Sequence, residues 1–282
     1  MKPRFVVLPA ALAFALAAPR GGAGQAPPPP PPLSFGLPLA GAEAEQFLRA
    51  ATVVKRTPLG TGVTRSYQVT LTDGGRVHRA IWKTIDEHKM GLQRLEGAGL
   101  EFDFRDSWKS EVAAYELDKL LGLGLVPPTV ERRLGGRTGS LQMWVEEAMT
   151  DDQRRKKGLE AADAAAWNAQ MHRVRLLHQL TYNTDYRNAR NVLIDPSFRI
   201  YAVDSSRAFR IQTDLMTPDD LVSFSRATLE RLAALDRPTL EARLGSWLGK
   251  RQIDGLLARR EAILALAKQR VAERGEDAVL YP

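Results

Sequence analysis

These 282 residues contain no cysteine and only four histidines. The first absence excludes a disulfide framework, a thiol nucleophile, an iron–sulfur cluster and a cysteine-rich zinc site. The scatter of the histidines argues against a histidine-built metal centre. Neither sign of charge forms a long block: 40 Lys+Arg against 33 Asp+Glu leave a net charge of +7, spread along the chain. That balance favours anionic partners such as phosphates and nucleotides. The densest basic run, Arg154 to Lys157, reads as a solvated loop. No nucleic-acid-binding module is recognised, and no nucleic-acid partner is expected. The apolar run from Phe5 to Ala18 has about 14 residues, short of the roughly 20 that span a bilayer, so no stable membrane span is expected.

Lys2 and Arg4 precede that run, and small residues follow it as far as Ala26. This is the order of a secretory signal peptide, so residues 1–26 are expected to be removed on export, after Ala17 or between Ala23 and Ala26. The protein is then periplasmic or secreted; it is cytoplasmic if the leader is not a signal. Pro27 to Pro32 favour extended polyproline II, which makes residues 27–42 a Pro-rich linker.

Beyond the linker the pattern runs from strands to helices. Residues from Ala42 to Val53 can form a short helix. Tyr67, Val69 and Leu71 alternate, Asp73-Gly74 supplies a hairpin turn, and Val77, Ile81 and Lys83 share one face of the returning strand. Asp106 or Ser107 can cap a helix that ends at Gly122, with Glu111 nearly opposite Ala113, Leu117 and Leu120. Leu141 to Glu147 reads as a buried strand, and Gly158 to Leu180 as a helix. Val192 to Ile194 and Ile200 to Val203 read as two short strands joined at Asp195-Pro196-Ser197. Helices are expected over Asp219 to Leu235, Pro238 to Leu248 and Ile253 to Arg274. Strands first and helices later make an α+β chain of two lobes rather than an alternating doubly wound sheet.

Five polar residues stand in an informative order: Lys83 at the end of a hairpin, Glu111 on the next helix, Asp185 and Asn191 in a polar loop, and Asp204 after a strand pair. Together they supply what phosphoryl transfer requires: a cation for nucleotide phosphates, an anion to hold it, a carboxylate to orient a hydroxyl, and two oxygen ligands for magnesium. Each has an ordinary reading too. Lys83 suits a strand end, Glu111 suits a first helical turn, and Asp185 and Asn191 suit turn chemistry. A carboxylate directly after Ile200 to Val203 is costly near a core unless it is paired, and a metal is the economical explanation for Asp204. Arg187, Arg190 and Arg207 suit either substrate anions or carboxylate partners. His178 reads as a packed helix residue.

The segments TYNTDYRNARNVLID (residues 181–195), YAVDSSRAF (201–209) and SEVAAYELDKLLGLGLVPPTVE (110–131) resemble the protein kinase-like superfamily. The likeness is greatest to its atypical branch of HipA-type kinases, phosphatidylinositol kinases and secretory-pathway casein kinases, and covers about half of the chain, from Gly60 to Phe209. It implies a two-lobed kinase-like fold, with a strand-rich N-lobe and hinge over 43–147 and a helical C-lobe over 148–282. It also implies an ATP-dependent phosphotransferase that uses Mg2+ or Mn2+. Lys83 resembles the phosphate-contacting lysine and Glu111 its ion-pair partner, while Gly60 and Gly62 resemble the glycine loop over the phosphates. Gln142 and Trp144 lie in the segment that resembles the adenine-contacting hinge. Asp185 resembles the catalytic aspartate, and Asn191 and Asp204 the metal ligands. Asp185 and Asn191 are six residues apart instead of the usual five, which leaves Asn188 as the alternative ligand. No histidine follows Asp185, and Ser205-Ser206 stand where Phe-Gly or Asn-Gly is usual. The resemblance leaves the hydroxyl acceptor open among protein, sugar and lipid headgroup. The rival expectations are a pseudokinase that binds without turnover and an enzyme that transfers adenylate.

Overall fold

In the computed structural model of the chain, residues 36–60, 66–95 and 99–282 are described. The leader read at 1–26, the six prolines and Gly62 lie outside the described residues. The packed body has already begun at Gly36, whose carbonyl accepts from the Glu146 N–H at 2.7 Å, and at Leu39, which is buried.

Helix α1 (Gly41–Ala50) buries Ala44, Phe47 and Leu48, the spacing of one helical face. Strands β1 (Thr52–Pro58), β2 (Ser66–Thr72) and β3 (Val77–Lys83) follow. Between β2 and β3 the Asp73 carboxylate accepts from the backbone of Gly75 and Arg76, and Gly74 takes a φ of 92°. This turn sets a register of Tyr67 opposite Trp82 and Ser66 opposite Lys83. Ala80 and Trp82 therefore face the core, and Ile81 and Lys83 face the other way.

Next comes a ribbon that the sequence reading did not foresee, β4 (Asp86–Leu95) paired antiparallel with β5 (Gly99–Ser107). Its register is broken between Lys89 and Leu92, and charged residues interrupt its alternation, so it carries no clean period-two signal. Helix α2 (Trp108–Leu121) follows with the expected ends: Ser107 Oγ accepts from the Lys109 N–H, and Gly122 closes it at a φ of 63°. Asp118 then accepts from the N–H groups of Gly124, Leu125 and Val126, fixing the break before Pro127. Strands β6 (Thr129–Leu134) and β7 (Arg137–Met143) complete a five-stranded sheet in the order β1-β2-β3-β7-β6. A Cβ at Gly139 would lie 2.1 Å from the Lys83 carbonyl oxygen, so glycine lets β7 come alongside the end of β3.

The larger lobe starts with β8 (Met149–Thr150), α3 (Asp151–Lys156) and α4 (Ala164–Thr181). Helix α4 begins later than its periodicity suggested, because Asp163 caps it and Gly158 turns the chain at a φ of 61°. Strands β9 (Val192–Ile194) and β10 (Ile200–Ala202) pair where expected, with β8 on the outer side of β9. The helix expected from Asp219 is only a single tight turn at Pro218–Asp220. Phe224 then enters β11 (Phe224–Ser225), and Ser225 caps α5 (Arg226–Ala234). Helices α6 (Arg237–Leu244), α7 (Lys250–Arg274) and α8 (Glu276–Val279) lead to β12 (Leu280–Tyr281), which pairs with β11.

Two apolar cores result. One joins α1 to the five-stranded sheet through Phe47, Val69, Trp82 and Leu141. The other gathers the helices behind β9 and β10 and includes Ala113, Leu117 and Leu121 of α2. Helix α2 is thus anchored in the helical core while it lies beside β6 and β7 of the small sheet. Eleven of its fourteen residues are buried, so the face that carries Glu111 is as enclosed as the apolar one.

Candidate active site

Lys83 reaches out of the small sheet on the face away from its core and meets two carboxylates. Its ammonium donates to Glu111 Oε1 at 2.6 Å and to Asp204 Oδ1 at 2.7 Å. Only 8% of the Lys83 side chain and 2% of the Glu111 side chain are accessible, so this pair is buried, while 41% of Asp204 opens to the cleft. Burial alone would push the lysine down, but the Asp204 and Glu111 charges outweigh it and hold the ammonium well above its usual range. Burial dominates at Glu111 and raises it; the Lys83 charge dominates at Asp204 and lowers it. The second Glu111 oxygen accepts from the Ser205 N–H at 3.0 Å, so α2 and the turn after β10 are locked together through one side chain.

Asp204 adopts a φ of 59°, a left-handed backbone uncommon for a residue with a side chain. Apolar β10 leads into a turn that throws this carboxylate toward Lys83 instead of into the core. Ser206 donates its hydroxyl to Asp204 Oδ1 at 3.2 Å, which gives Ser206 a role in the place of the usual glycine.

The loop between α4 and β9 builds a second cluster. Tyr182 closes α4 in left-handed conformation, and the chain then makes successive turns, Asn188 N–H to Asp185 C=O and Asn191 N–H to Asn188 C=O. These turns absorb the extra residue between Asp185 and Asn191. Both amides converge on one oxygen: Asn191 Nδ2 donates to Asp185 Oδ2 at 2.7 Å and Asn188 Nδ2 at 3.1 Å. The two asparagines differ in what remains. Asn188 Oδ1 accepts from the Arg190 N–H, whereas Asn191 is buried and its backbone carbonyl accepts from the Val203 N–H, one residue before Asp204.

His178 on α4 packs edge-on against Tyr186 in this loop, and burial pushes its imidazole down to about 4. The folded chain keeps His178 neutral where the unfolded chain protonates near pH 6.5. Stability therefore falls as pH drops from about 6.5 to 4, by about 3 kcal/mol in total. Denaturant melts across that range should show the decline, and His178→Gln should flatten it; a slope unchanged by the substitution would refute this account.

Beside these clusters lies a cavity of about 480 Å3, lined by Ile81, Gln142, Trp144 and Val145 from the small lobe and by Leu193 and Val203 from the large one. Its walls are largely apolar, as a planar base requires. Gln142 Nε2 donates to Thr129 Oγ1, whose own proton goes to the Pro127 carbonyl, so the amide's orientation is fixed. Arg79 stacks over the Trp144 ring and pairs with Glu146 at the cavity's edge. Of the expected glycine loop, Gly60 follows β1 with a φ of 57°.

Three features carried no signal in the sequence. Glu101 on β5 pairs with Arg207 and Arg210, clamping the ribbon onto the segment after Asp204. Arg207 thus has a carboxylate partner, while Arg187 and Arg190 are exposed. Asp106, at the end of β5, is buried beside the same turn. Ser205 supplies a backbone donor, which no side-chain pattern reveals.

A two-lobed α+β body with a buried Lys–Glu pair behind an interlobe cavity defines the class: the chain has the atypical kinase-like fold. It superposes on a hydra Fam20 solved with sugar, at a TM-score of 0.59 and 15% identity over 84% of this chain and 90% of that one. It superposes equally on the Golgi casein kinase, at a TM-score of 0.59 and 14% identity over 84% of this chain and 78% of that one. No protein-family model and no curated protein matches the sequence.

Proposed function

We propose that this chain is an ATP- and magnesium-dependent phosphotransferase that acts on a hydroxyl group. The observation that carries the reading is the buried Lys83–Glu111 pair with Asp204 on the same ammonium, at 2.6 and 2.7 Å, next to an apolar interlobe cavity. The cavity takes the adenine. Lys83, held by Glu111, offers its charge to nucleotide phosphates, and Asp204 would hold the metal. Asp185, held through Oδ2 by the two asparagines, presents its other oxygen to the acceptor hydroxyl and takes its proton.

Asp204 and Asn191 Oδ1 would hold Mg2+ or Mn2+. Among the described residues no group of three or more His, Asp or Glu is clustered to hold an ion unaided. That fits magnesium, which binds through one or two carboxylates and completes its shell with phosphates and water. When bound, the ion neutralises charge on the transferring phosphoryl group.

The test is thermal unfolding with and without Mg-ATP. At 100 times the dissociation constant a ligand adds about 2.7 kcal/mol, which raises the midpoint by roughly 5–10 °C in a domain of this size. Asp204→Ala should abolish the shift. No shift in the cooperative wild type would end the nucleotide reading.

One observation favours a second reading, a module that binds without turnover: Lys83 and Asp204 engage each other and so occupy two groups that a nucleotide needs. Phosphate transfer to any acceptor decides between the two. Sugars and proteins come first as acceptors, since one structural neighbour was solved with sugar and the other is a casein kinase. Intact mass separates added phosphate from added adenylate. On the chain recovered from cells, it also reads whether residues 1–26 have been removed, as export requires.

A further inference from the structure

Ser107 donates its backbone N–H to the Ser206 carbonyl at 2.9 Å, which presses the end of β5 against the turn that carries Asp204. The residue at that end is Asp106. It is 7% exposed, and its Oδ1 is buried with no hydrogen-bond partner among the described residues. Burying a carboxylate oxygen unpaired is costly, and native structures tolerate it mainly where something else supplies the counter-charge. Lys83, a buried cation whose charge acts on Asp106, already donates to Glu111 and Asp204. Burial raises the Asp106 carboxyl; the Ser206 hydroxyl hydrogen-bonds to it and opposes that rise, and Asp204, Lys83 and Arg207 are close enough for their charges to act on it. Two carboxylates from different elements, Asp106 on the ribbon and Asp204 on the turn, thus lie close together, and one oxygen of Asp106 has no hydrogen-bond partner among the described residues.

We infer that Asp106 is a further ligand of the divalent cation that Asp204 would hold. The inference rests on the nucleotide-site reading above. It explains why a carboxylate stands five residues before Glu111 at the end of a strand. It also gives the β4–β5 ribbon a function: clamped by Glu101 to Arg207 and Arg210, the ribbon carries a ligand into the metal site.

The probe is Mn2+ followed by electron paramagnetic resonance, with ADP present, on wild type, Asp106→Asn and Asp204→Asn. Asp106→Asn keeps the shape and removes the charge. It should weaken Mn2+ by about 10- to 100-fold. In metal-free buffer it should leave the unfolding midpoint unchanged or raise it, because a buried charge with one oxygen unpaired among the described residues has been removed. Unchanged Mn2+ affinity, or a midpoint lowered by several degrees without metal, would overturn the inference, the second outcome showing a structural role. If wild type itself takes up no Mn2+ with ADP, the nucleotide reading falls and Asp106 with it. If wild type and Asp106→Asn bind alike while Asp204→Asn does not, only the inference about Asp106 is lost.

Discussion

Glu111→Ala should destabilise the folded chain by about 3–5 kcal/mol, because it leaves the buried Lys83 ammonium without one of its two carboxylates. The backbone offers no relief. Helix α2 is anchored in the helical core by Ala113, Leu117 and Leu121 and lies against β6 and β7, so it cannot swing away to let water in. Glu111→Gln should cost less, since an amide oxygen still accepts from the Ser205 N–H or from Lys83. Chemical denaturation of the three proteins measures the difference. A loss below about 1 kcal/mol for alanine, the scale of an exposed pair, would mean that Asp204 alone satisfies the lysine.

Asp185→Asn should lower phosphate transfer by about 100- to 10,000-fold, the range that a positioned proton acceptor contributes. Asparagine keeps the size of the side chain and its contacts with Asn188 and Asn191 but cannot take the hydroxyl proton. Stabilisation by Mg-ATP should be retained, because the phosphate-binding lysine and Asp204 are untouched. Radiolabelled transfer gives the first quantity and thermal unfolding the second. If transfer persists at more than a tenth of the wild-type rate, Asp185 does not act on the hydroxyl. If nucleotide binding is lost together with transfer, the residue serves structure or metal instead of proton transfer.

Much of the site was legible in sequence because its residues sit at element boundaries, where local rules are strongest. Ser107 and Gly122 delimit α2, Asp73-Gly74 sets the hairpin that ends at Lys83, and the turn at Asp195 to Ser197 joins the strands that lead to Asp204. Asparagine spacing was harder. Six residues separate Asp185 from Asn191 where five are usual, and only the succession of turns brings both amides onto one carboxylate oxygen. The β4–β5 ribbon carries no period-two signature, because its register slips between Lys89 and Leu92 and its residues alternate poorly. The composition of Asp219 to Leu235 is helical throughout, so local rules predict one helix there. Tertiary pairing of Phe224 with Leu280 holds part of it extended.

By itself the sequence determined the order of the chemistry-bearing residues, the ends of α2, the hairpin that carries Lys83 and the absence of thiol or histidine chemistry. All of these follow from residue type and short-range spacing. Tertiary structure decided which charges meet. Lys83 and Asp204 are 121 positions apart and Lys83 and Glu111 28 apart, and no local rule relates such positions. It decided that the polar face of α2 is buried, that Asp204 takes a left-handed backbone, and that Asp106 ends beside the same turn with no partner for one oxygen among the described residues. The physical reason is the same in each case. A charge in water has no preferred neighbour, and only the exclusion of water by two packed cores makes its partner a matter of several kcal/mol.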